Sequence, residues 1–334
     1  MADTWKRETI PMLIYVENIR GRDPAYLIEP AAVRAAIRGL PMDVDIVDAF
    51  SDAPDIGALE KADFFVGAKL DTARLNRHGG RLKLIHCTSA GVEGYLPLDW
   101  LPDRAVLTNS SGIHAEKAGE FGLLALLMLN DHVPQHMTSQ RSHAWKRKLA
   151  RPIRGKTVLI YGVGALGGAI AEKAKLLGLN IWGVRRSGAP HPHVECMFHP
   201  DLLAQALPSV DFLLVTCPLT AATRGAIGAR ELMMLPPHAG VVNMARAAVV
   251  DYDALAELLR EGRLAGAVLD VFDPEPLPAT APWWDVPNLM VIPHVSADDP
   301  VGYIDRSLAI FGRNLANLAA GRPLDNVVDA SIGY

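Results

Sequence analysis

The sequence predicts an α/β protein with two domains, each built on a parallel sheet. Its 334 residues are about twice the usual domain length of roughly 150 residues. Short apolar segments alternate with helical or turn segments in two separate series, which is typical of βα units. Hydrophobic residues make up 50% of the chain and charged residues 21%, so both domains can bury a core.

The first series occupies the first hundred residues. A crossover helix is predicted at Pro30–Arg38, because proline stands near its start and Gly39 follows its end. The predicted strands are Met12–Val16, Val44–Val47, Phe64–Val66, Leu84–Cys87 and Val106–Leu107.

A helix and a basic arm follow. Apolar residues recur on one face of Ala115–Leu129, so a helix is expected there, and it could carry the chain to a second domain. Residues 141–156 hold seven lysines and arginines and no acid. We interpret them as a solvated connecting arm rather than a nucleic-acid surface, because Trp145 is the only aromatic residue there that could stack on a base.

The second series begins at Thr157 and predicts a complete doubly wound sheet of six strands. They are Thr157–Tyr161, Ile181–Val184, Phe212–Thr216, Gly240–Asn243, Gly266–Leu269 and Leu289–Ile292. A last helix is expected to open with Asp299 as its N-cap and Pro300 in its first turn, and then to return the chain to the first domain.

Charge and composition exclude several classes of function. A net charge of -4 gives no global attraction to nucleic acid or to an anionic membrane surface. Cys87, Cys196 and Cys217 match neither a disulfide framework nor a zinc site, and the histidines lack metal-ligand spacing. We find no signal peptide and no apolar run long enough to span a membrane. A cytoplasmic protein without a metal site is therefore expected.

The segment Gly162-Val163-Gly164-Ala165-Leu166-Gly167 predicts dinucleotide binding. It directly follows an apolar strand and opens a helical run, Ala169–Leu177, which is the context this glycine pattern requires. Its glycines allow a tight turn, close approach of a pyrophosphate and close packing of helix on strand. The helix N-terminus presents unpaired N–H groups to the phosphates.

The residues after the next strand select the form of the cofactor. NAD is normally recognised there by an acid that binds the ribose hydroxyls. This chain instead has Arg185-Arg186-Ser187, whose guanidiniums and hydroxyl suit a 2′-phosphate. NADP(H) is therefore predicted to be preferred, with NAD(H) still possible.

Three further segments lie at the ends of predicted strands and supply Arg246, Glu275 and His294. Reduction of a 2-oxo acid needs such a set. Arginine binds the carboxylate and polarises the ketone, and histidine gives the ketone oxygen a proton. A glutamate beside the histidine favours the imidazolium.

At these residues the sequence resembles the D-isomer-specific 2-hydroxyacid dehydrogenase family, which contains glyoxylate and hydroxypyruvate reductases. The resemblance extends to Thr216-Cys217-Pro218-Leu219-Thr220 and to the tail Gly321–Val328. It implies that Arg246, Glu275 and His294 are catalytic. It also implies a flavodoxin-like substrate domain, residues 1–108 and 299–334, and an inserted Rossmann cofactor domain, residues 109–298, with the active cleft at their junction.

The resemblance implies further binding residues and an assembly. Ser89, Ala90 and Gly91 resemble the family's substrate loop, which binds the substrate carboxylate together with Arg246. The family forms homodimers, and the arm carrying Trp145 reaches toward the partner subunit. Cofactor contacts are implied, beyond the glycine loop and Arg185-Arg186-Ser187, at Cys217, Pro218, Thr223, Met244, Ala245, Asp270, His294 and Ser296.

The leading hypothesis is an NADPH-dependent reductase of small 2-oxo acids, such as glyoxylate or hydroxypyruvate. Two departures from the family pattern are Ala247, where glycine often follows the arginine, and Arg185, where aspartate is usual. A dinucleotide-sensing binding protein and another oxidoreductase of the fold, such as a phosphite dehydrogenase, are the alternatives. Formate dehydrogenases of the family have glutamine where this chain has Glu275, which argues against formate oxidation.

Overall fold

The computed structural model describes residues 11–40 and 43–331, which divide into two compact units. The first unit holds the described residues up to Ile113 and those from Asp299 onward, and the second is His114–Asp298. Both units are built on a parallel sheet, which confirms the predicted fold class. None of the described helices is both long enough and apolar enough to cross a membrane.

Twelve strands lie in the described residues. They are β1 Met12–Asn18, β2 Val44–Phe50, β3 Phe64–Gly67, β4 Leu84–Cys87, β5 Val106–Thr108, β6 Thr157–Tyr161, β7 Asn180–Val184, β8 Cys196–Phe198, β9 Phe212–Val215, β10 Gly240–Asn243, β11 Gly266–Leu269 and β12 Leu289–Val291.

The same residues contain ten α-helices. They are α1 Pro30–Ala36, α2 Ile56–Leu59, α3 Thr72–His78, α4 Ala115–Asn130, α5 Val133–Arg141, α6 Ala165–Leu176, α7 Leu203–Ala206, α8 Ala229–Met234, α9 Tyr252–Arg260 and α10 Tyr303–Ala319.

The sheet of the first unit has the order β2-β1-β3-β4-β5, which is the flavodoxin-like order. Apolar clusters cover both faces of the sheet, so β3 and β4 are buried along their whole length. Helices α1 and α10 pack on one face. Their backbones approach closely at Gly312, where any Cβ would overlap the carbonyl oxygen of Ala36.

A buried polar cluster ties α10 to this sheet. His86 in β4 is fully buried, and its ring nitrogens contact the hydroxyls of Thr108 at 2.9 Å and of Ser307 and Ser110 at 3.2 Å. Burial lowers the pKa of His86 to about 4. The imidazole is therefore neutral at physiological pH and serves as a structural hydrogen-bonding group.

The sheet of the second unit has the order β12-β11-β10-β9-β6-β7-β8. This is the Rossmann order, in which the direction of strand addition reverses between β6 and β9. Helix α6 packs against α4 on one face. The carboxyl ends of β10, β11 and β12 are adjacent along one edge, because all three strands are parallel neighbours.

The prediction of six strands for the second sheet is wrong, because β8 is a seventh. It pairs with β7 through only three residues at the edge of the sheet, and Cys196 is exposed. Such a short strand, with polar and histidine residues on both sides, has no apolar run from which to recognise it.

The predicted start of the last helix is also wrong. Gly302 has φ +74° and is the N-cap, so α10 begins at Tyr303. Asp299 instead accepts a hydrogen bond from the N–H of Val301 at 2.9 Å and pairs with Arg306 at 3.0 Å. The left-handed glycine separates this turn from the helix.

Candidate active site

The glycine-rich loop lies at the switch point of the Rossmann sheet. Gly162 follows β6 with φ +111°, and a Cβ there would overlap the backbone of Cys217, which follows β9. Gly167 also packs closely, because a Cβ would overlap the carbonyl oxygen of Gly162. That oxygen accepts a hydrogen bond from the Thr216 hydroxyl at 2.8 Å. Because these two glycines have no side chain, β6, the loop and α6 can pack closely together.

Gly164 differs from its neighbours because the space beside it is open. Apart from its chain neighbours and its own helix, no atom of the described residues lies within 4 Å of the position that a Cβ would take. Gly164 is the N-cap of α6, and none of the described side chains caps the helix. Ala165 and Leu166 form the first turn, whose N–H groups can face an anion. The loop therefore has the shape and polarity to hold the pyrophosphate of a dinucleotide.

The predicted ribose-recognition residues follow β7. Arg185 is half-buried, and Arg186 and Ser187 are exposed in the turn after it. The N–H of Arg185 donates to the carbonyl of Phe198 at 3.1 Å, so β8 holds the start of this turn. The Ser187 hydroxyl accepts from the N–H of Ala189 at 3.3 Å. Two cationic side chains thus occupy the end of β7, where an NAD-specific site needs a carboxylate.

The segment after β9 forms a tight hydrogen-bonded loop. The hydroxyl of Thr223 donates to the carbonyl of Pro218 at 2.7 Å and accepts from the N–H of Thr220 at 2.8 Å. Cys217 is buried, and burial raises the pKa of its thiol to about 12. Its backbone is packed against Gly162, so the glycine turn and the segment after β9 are in direct contact.

Arg246 stands three residues beyond the end of β10. Met244 and Ala245, which precede it, are buried, and the N–H of Met244 donates to the carbonyl of Val215 at 3.0 Å. The Arg246 side chain is half-buried, and its Nη1 donates to the carbonyl of Ala245 at 2.8 Å. The Asn243 amide donates to the carbonyl of Arg246 at 3.0 Å. The strand end thus holds the backbone from which the guanidinium extends.

Glu275 and His294 are brought into direct contact from the ends of β11 and β12. Nδ1 of His294 lies 2.6 Å from Oε2 of Glu275. Oε1 of Glu275 accepts from the N–H of Phe272 at 2.7 Å, which fixes the carboxylate. Both side chains remain accessible, with 47% of His294 and 36% of Glu275 exposed. Because Glu275 faces Nδ1, the other ring nitrogen, Nε2, is left for a substrate.

Asp270 holds the turn that contains His294. One carboxylate oxygen accepts from the N–H groups of Val295 at 2.9 Å and Ser296 at 3.1 Å, and the other accepts from the Ser296 hydroxyl at 2.5 Å. Burial raises the pKa of Asp270, and the hydrogen bonds from Ser296 and Val295 oppose that shift. His294 itself has φ +54°, a conformation that this network supports.

The candidate substrate loop belongs to the first unit, where it follows β4. Three of its carbonyls are tied to protein groups. Those of Thr88, Ser89 and Ala90 accept from the Tyr303 hydroxyl at 2.7 Å, the Ser110 N–H at 3.1 Å and the Asn109 amide at 2.7 Å. Among the described residues, none of the hydrogen bonds uses the N–H of Ala90 or Gly91. The loop can therefore offer N–H groups to an anion.

Comparison with known proteins identifies the family. A family model, described as D-isomer specific 2-hydroxyacid dehydrogenase, NAD binding domain, matches residues 123–296, which is more than half of the chain. The chain belongs to this family.

Relatives of this 2-hydroxyacid dehydrogenase extend over nearly all of its length. Glyoxylate/hydroxypyruvate reductase B of Pectobacterium atrosepticum is 32% identical, over 86% of this chain and 91% of its own. A D-isomer specific 2-hydroxyacid dehydrogenase from Xanthobacter autotrophicus, solved in complex with NADPH and MES, is 30% identical with a TM-score of 0.81 and covers 97% of this chain and 99% of its own.

A third relative is an NADPH-dependent glyoxylate/hydroxypyruvate reductase of Sinorhizobium meliloti, solved with NADP and sulfate. It is 27% identical with a TM-score of 0.78, over 97% of this chain and 100% of its own. The resemblance stated from the sequence is thus confirmed. The protein is a 2-hydroxyacid dehydrogenase that uses a nicotinamide dinucleotide.

The structure shows hydrogen bonds that position the candidate site and that were not predicted from the sequence. Sequence patterns place Asp270 and Ser296 at strand ends, but their bond to each other joins residues 26 positions apart. Tyr303 and Asn109, which hold the substrate loop, were not predicted as site residues. The sequence signal that could have identified them is a polar residue beside an otherwise apolar strand or helix.

Proposed function

We propose that this dehydrogenase is an NADP(H)-preferring reductase of small 2-oxo acids, of the glyoxylate and hydroxypyruvate type, that forms D-2-hydroxy acids. The contact between His294 and Glu275 carries the proposal, because a histidine held by a carboxylate at one nitrogen has the other free for acid catalysis. The solved relatives with NADPH and NADP support the cofactor preference, as do Arg185 and Arg186.

The cofactor would be held by the glycine loop and the turn after β7. The N–H groups at the start of α6 would receive the pyrophosphate beside Gly164. Arg185, Arg186 and Ser187 would bind the 2′-phosphate. When bound in its reduced form, the nicotinamide supplies the hydride that is added to the carbonyl carbon.

Arg246, His294 and Glu275 would divide the remaining chemistry. Arg246 binds the substrate carboxylate and stabilises the negative charge that develops on the ketone oxygen. His294 transfers a proton from Nε2 to that oxygen. Glu275 accepts from Nδ1–H, so the imidazole keeps one orientation and one tautomer after the proton has left Nε2.

The substrate is proposed to be small and singly charged at its carboxylate. Ser89, Ala90 and Gly91 are proposed to bind the substrate carboxylate, and among the described residues none of the hydrogen bonds uses the N–H of Ala90 or Gly91. The alternative of a dinucleotide-sensing binding protein predicts cofactor binding without turnover. It gives no role to the accessible His294–Glu275 pair.

We also propose that the protein is a homodimer joined through residues 109–154. Trp145 is 94% exposed and Leu149 is 81% exposed in the basic arm. Two large apolar side chains exposed within one short segment are suited to contact with a partner subunit.

A panel of 2-oxo acids, assayed with NADPH and with NADH by loss of the reduced-nicotinamide absorbance, tests the function. Turnover of glyoxylate or hydroxypyruvate with NADPH is expected, and His294→Ala should lower kcat by about 10²–10⁴. The matched control is His199→Ala. His199 also contacts a carboxylate, Asp201 at 3.1 Å, and is about as exposed as His294, but it follows β8 and has no proposed role in the reaction. Binding of NADPH with no turnover of any 2-oxo acid would favour the binding-protein alternative.

A further inference from the structure

Two buried polar residues outside the predicted catalytic set lie between the strand ends that carry Arg246 and Glu275. Asn243 is the last residue of β10 and is completely buried. Tyr252 is the first residue of α9 and is 8% exposed. The Asn243 amide nitrogen lies 3.0 Å from the Tyr252 hydroxyl. Buried polar groups in contact at a strand end need complete hydrogen bonding to be tolerated.

The backbone fixes the orientation of the Asn243 amide. Its oxygen is 2.9 Å from the N–H of Ala245, which can only donate, and its nitrogen is 3.0 Å from the carbonyl of Arg246, which can only accept. The opposite orientation would place the amide NH2 against the N–H of Ala245 and the amide oxygen against the carbonyl of Arg246, with no hydrogen bond at either position. The second N–H of the amide therefore donates to the Tyr252 hydroxyl.

The direction of the next hydrogen bond follows from this orientation. Because the Tyr252 oxygen accepts from Asn243, its single proton is free to be donated onward. The carbonyl of Val271 lies 2.8 Å away and receives it. Burial raises the pKa of Tyr252, and the nearby charges of Asp270 and Glu275 act in the same direction. The phenol therefore keeps the proton that it donates.

Val271 stands between two residues that hold the catalytic histidine. On one side is Asp270, whose carboxylate binds Val295 and Ser296 in the turn of His294. On the other side is Phe272, whose N–H donates to Glu275. A hydrogen bond to the carbonyl of Val271 thus acts on the segment that supports both the proton donor and its carboxylate partner.

We infer that Asn243 and Tyr252 are positioning residues that set the Arg246 segment in register with the Glu275–His294 pair. This inference rests on the proposed function. The arginine and the histidine–glutamate pair come from three separate strands, so their relative placement needs a link across the strand ends. The link runs from the Arg246 carbonyl through Asn243 and Tyr252 to the Val271 carbonyl.

Packing makes the link rigid. The ring of Tyr252 meets Phe272 edge-on, with centroids 5.8 Å apart, and Trp283 edge-on at 5.7 Å. Such contacts fix the ring plane and therefore the position of the hydroxyl. The ring would remain in place if the hydroxyl alone were removed.

Tyr252→Phe is the test, because it removes the link and keeps the ring. We expect kcat/KM for the 2-oxo acid to fall about tenfold or more, since both the carboxylate site and the proton donor lose their relative placement. KM for the acid should rise and kcat should fall. The Kd for NADPH should stay within about twofold, because the variant leaves the glycine loop, Arg185 and the bond of Asn243 to the N–H of Ala245 in place.

Val286→Ala is the matched control. Val286 is completely buried in the same apolar cluster as Tyr252, and its side chain takes no part in the link. If Tyr252 had only a structural role, both variants would lower Tm with the kinetics of the folded enzyme unchanged. Equal kcat/KM values for Tyr252→Phe and Val286→Ala would overturn the inference.

Hydrogen exchange separates this inference from the proposed function. In Tyr252→Phe, amides of residues 244–249 and of residues 271–275 should both exchange faster than in Val286→Ala. If the wild type reduced no 2-oxo acid, the proposed function would fail. The exchange result would still decide the link, since faster exchange in both segments supports it and a change confined to α9 refutes it.

Discussion

The contact between His294 and Glu275 makes proton transfer depend on two side chains. Glu275→Gln keeps the size of the side chain and its acceptor for Phe272, but removes the anion that lies 2.6 Å from Nδ1 of His294. The variant should lower kcat for reduction by about tenfold or more, because the proton donor loses the carboxylate that orients it. Initial rates of reduction, with NADPH binding as a control, measure this change. An unaltered kcat would show that Glu275 does not support the proton donor.

Cofactor preference is a second property of single residues. Arg185→Asp should weaken NADPH relative to NADH by about 10–100-fold, because charge-assisted hydrogen bonds to the 2′-phosphate are lost and a carboxylate that repels it is introduced. Arg230→Asp makes the same change of charge on the exposed face of α8 and should leave the ratio unchanged. Kd values for both cofactors give the ratio. A wild type that binds NADPH and NADH equally would contradict the prediction.

At the scale of elements, two glycines in the strand–loop–helix unit of β6 and α6 have different roles. Gly164→Ala should leave Tm nearly unchanged but weaken cofactor binding about tenfold or more, because a methyl group would occupy the open space for the pyrophosphate. Gly167→Ala should lower Tm, since its Cβ would also come within 2.9 Å of Ile160 and Thr216. Thermal unfolding and cofactor titration of the two variants distinguish these effects. Unchanged binding by Gly164→Ala would place the pyrophosphate elsewhere.

The packing of α10 on β4 gives the first unit a sensitivity to acid. His86 has its pKa lowered to about 4, so the unfolded chain takes up a proton near pH 6.5 that the folded unit refuses. Well above pH 6.5 neither the folded nor the unfolded chain binds this proton, so His86 does not lower the free energy of unfolding. As the pH falls from about 6.5 toward 4, the unit loses stability. At a pH of about 5 the expected loss is about 2 kcal/mol.

His86→Gln should remove this dependence, because an amide offers hydrogen bonds without titrating. Hydrogen exchange of peptides from β4 and α10 across denaturant measures the unfolding of this unit at neutral and acid pH. The wild type should lose more stability on acidification than the variant does. Parallel losses would show that His86 does not titrate on unfolding.

The elements recovered from sequence are those whose pattern is local. Central strands such as β6 and β9 are continuous apolar runs, and parallel strands bring their carboxyl ends to one edge, so Arg246, Glu275 and His294 could be placed together. The edge strand β8 and the start of α10 after Gly302 depend on neighbours that the sequence does not specify. The bonds of Asp270 to Ser296 and of Asn243 to Tyr252 depend on packing in the same way.

For the whole molecule, the proposed dimer is the property that light scattering can decide. A species of two 36.1 kDa chains is expected at micromolar concentration. Trp145→Ser combined with Leu149→Ser should weaken it, because both exposed apolar side chains would be lost. Leu176→Ser, at a residue that is 78% exposed on α6, is the control and should leave the assembly intact. A monomeric wild type would refute the proposal.

The division of the chain also sets an order of events during synthesis. The second unit is one continuous segment, whereas the first unit draws on both ends of the chain. On the ribosome, β1–β5 emerge before α10, which completes the cover that α1 begins on one face of their sheet, and the contact of His86 with Ser307 spans 221 residues. The inserted unit can complete its own core in that interval. The core of β1–β5 is therefore completed only after the inserted unit has been synthesised.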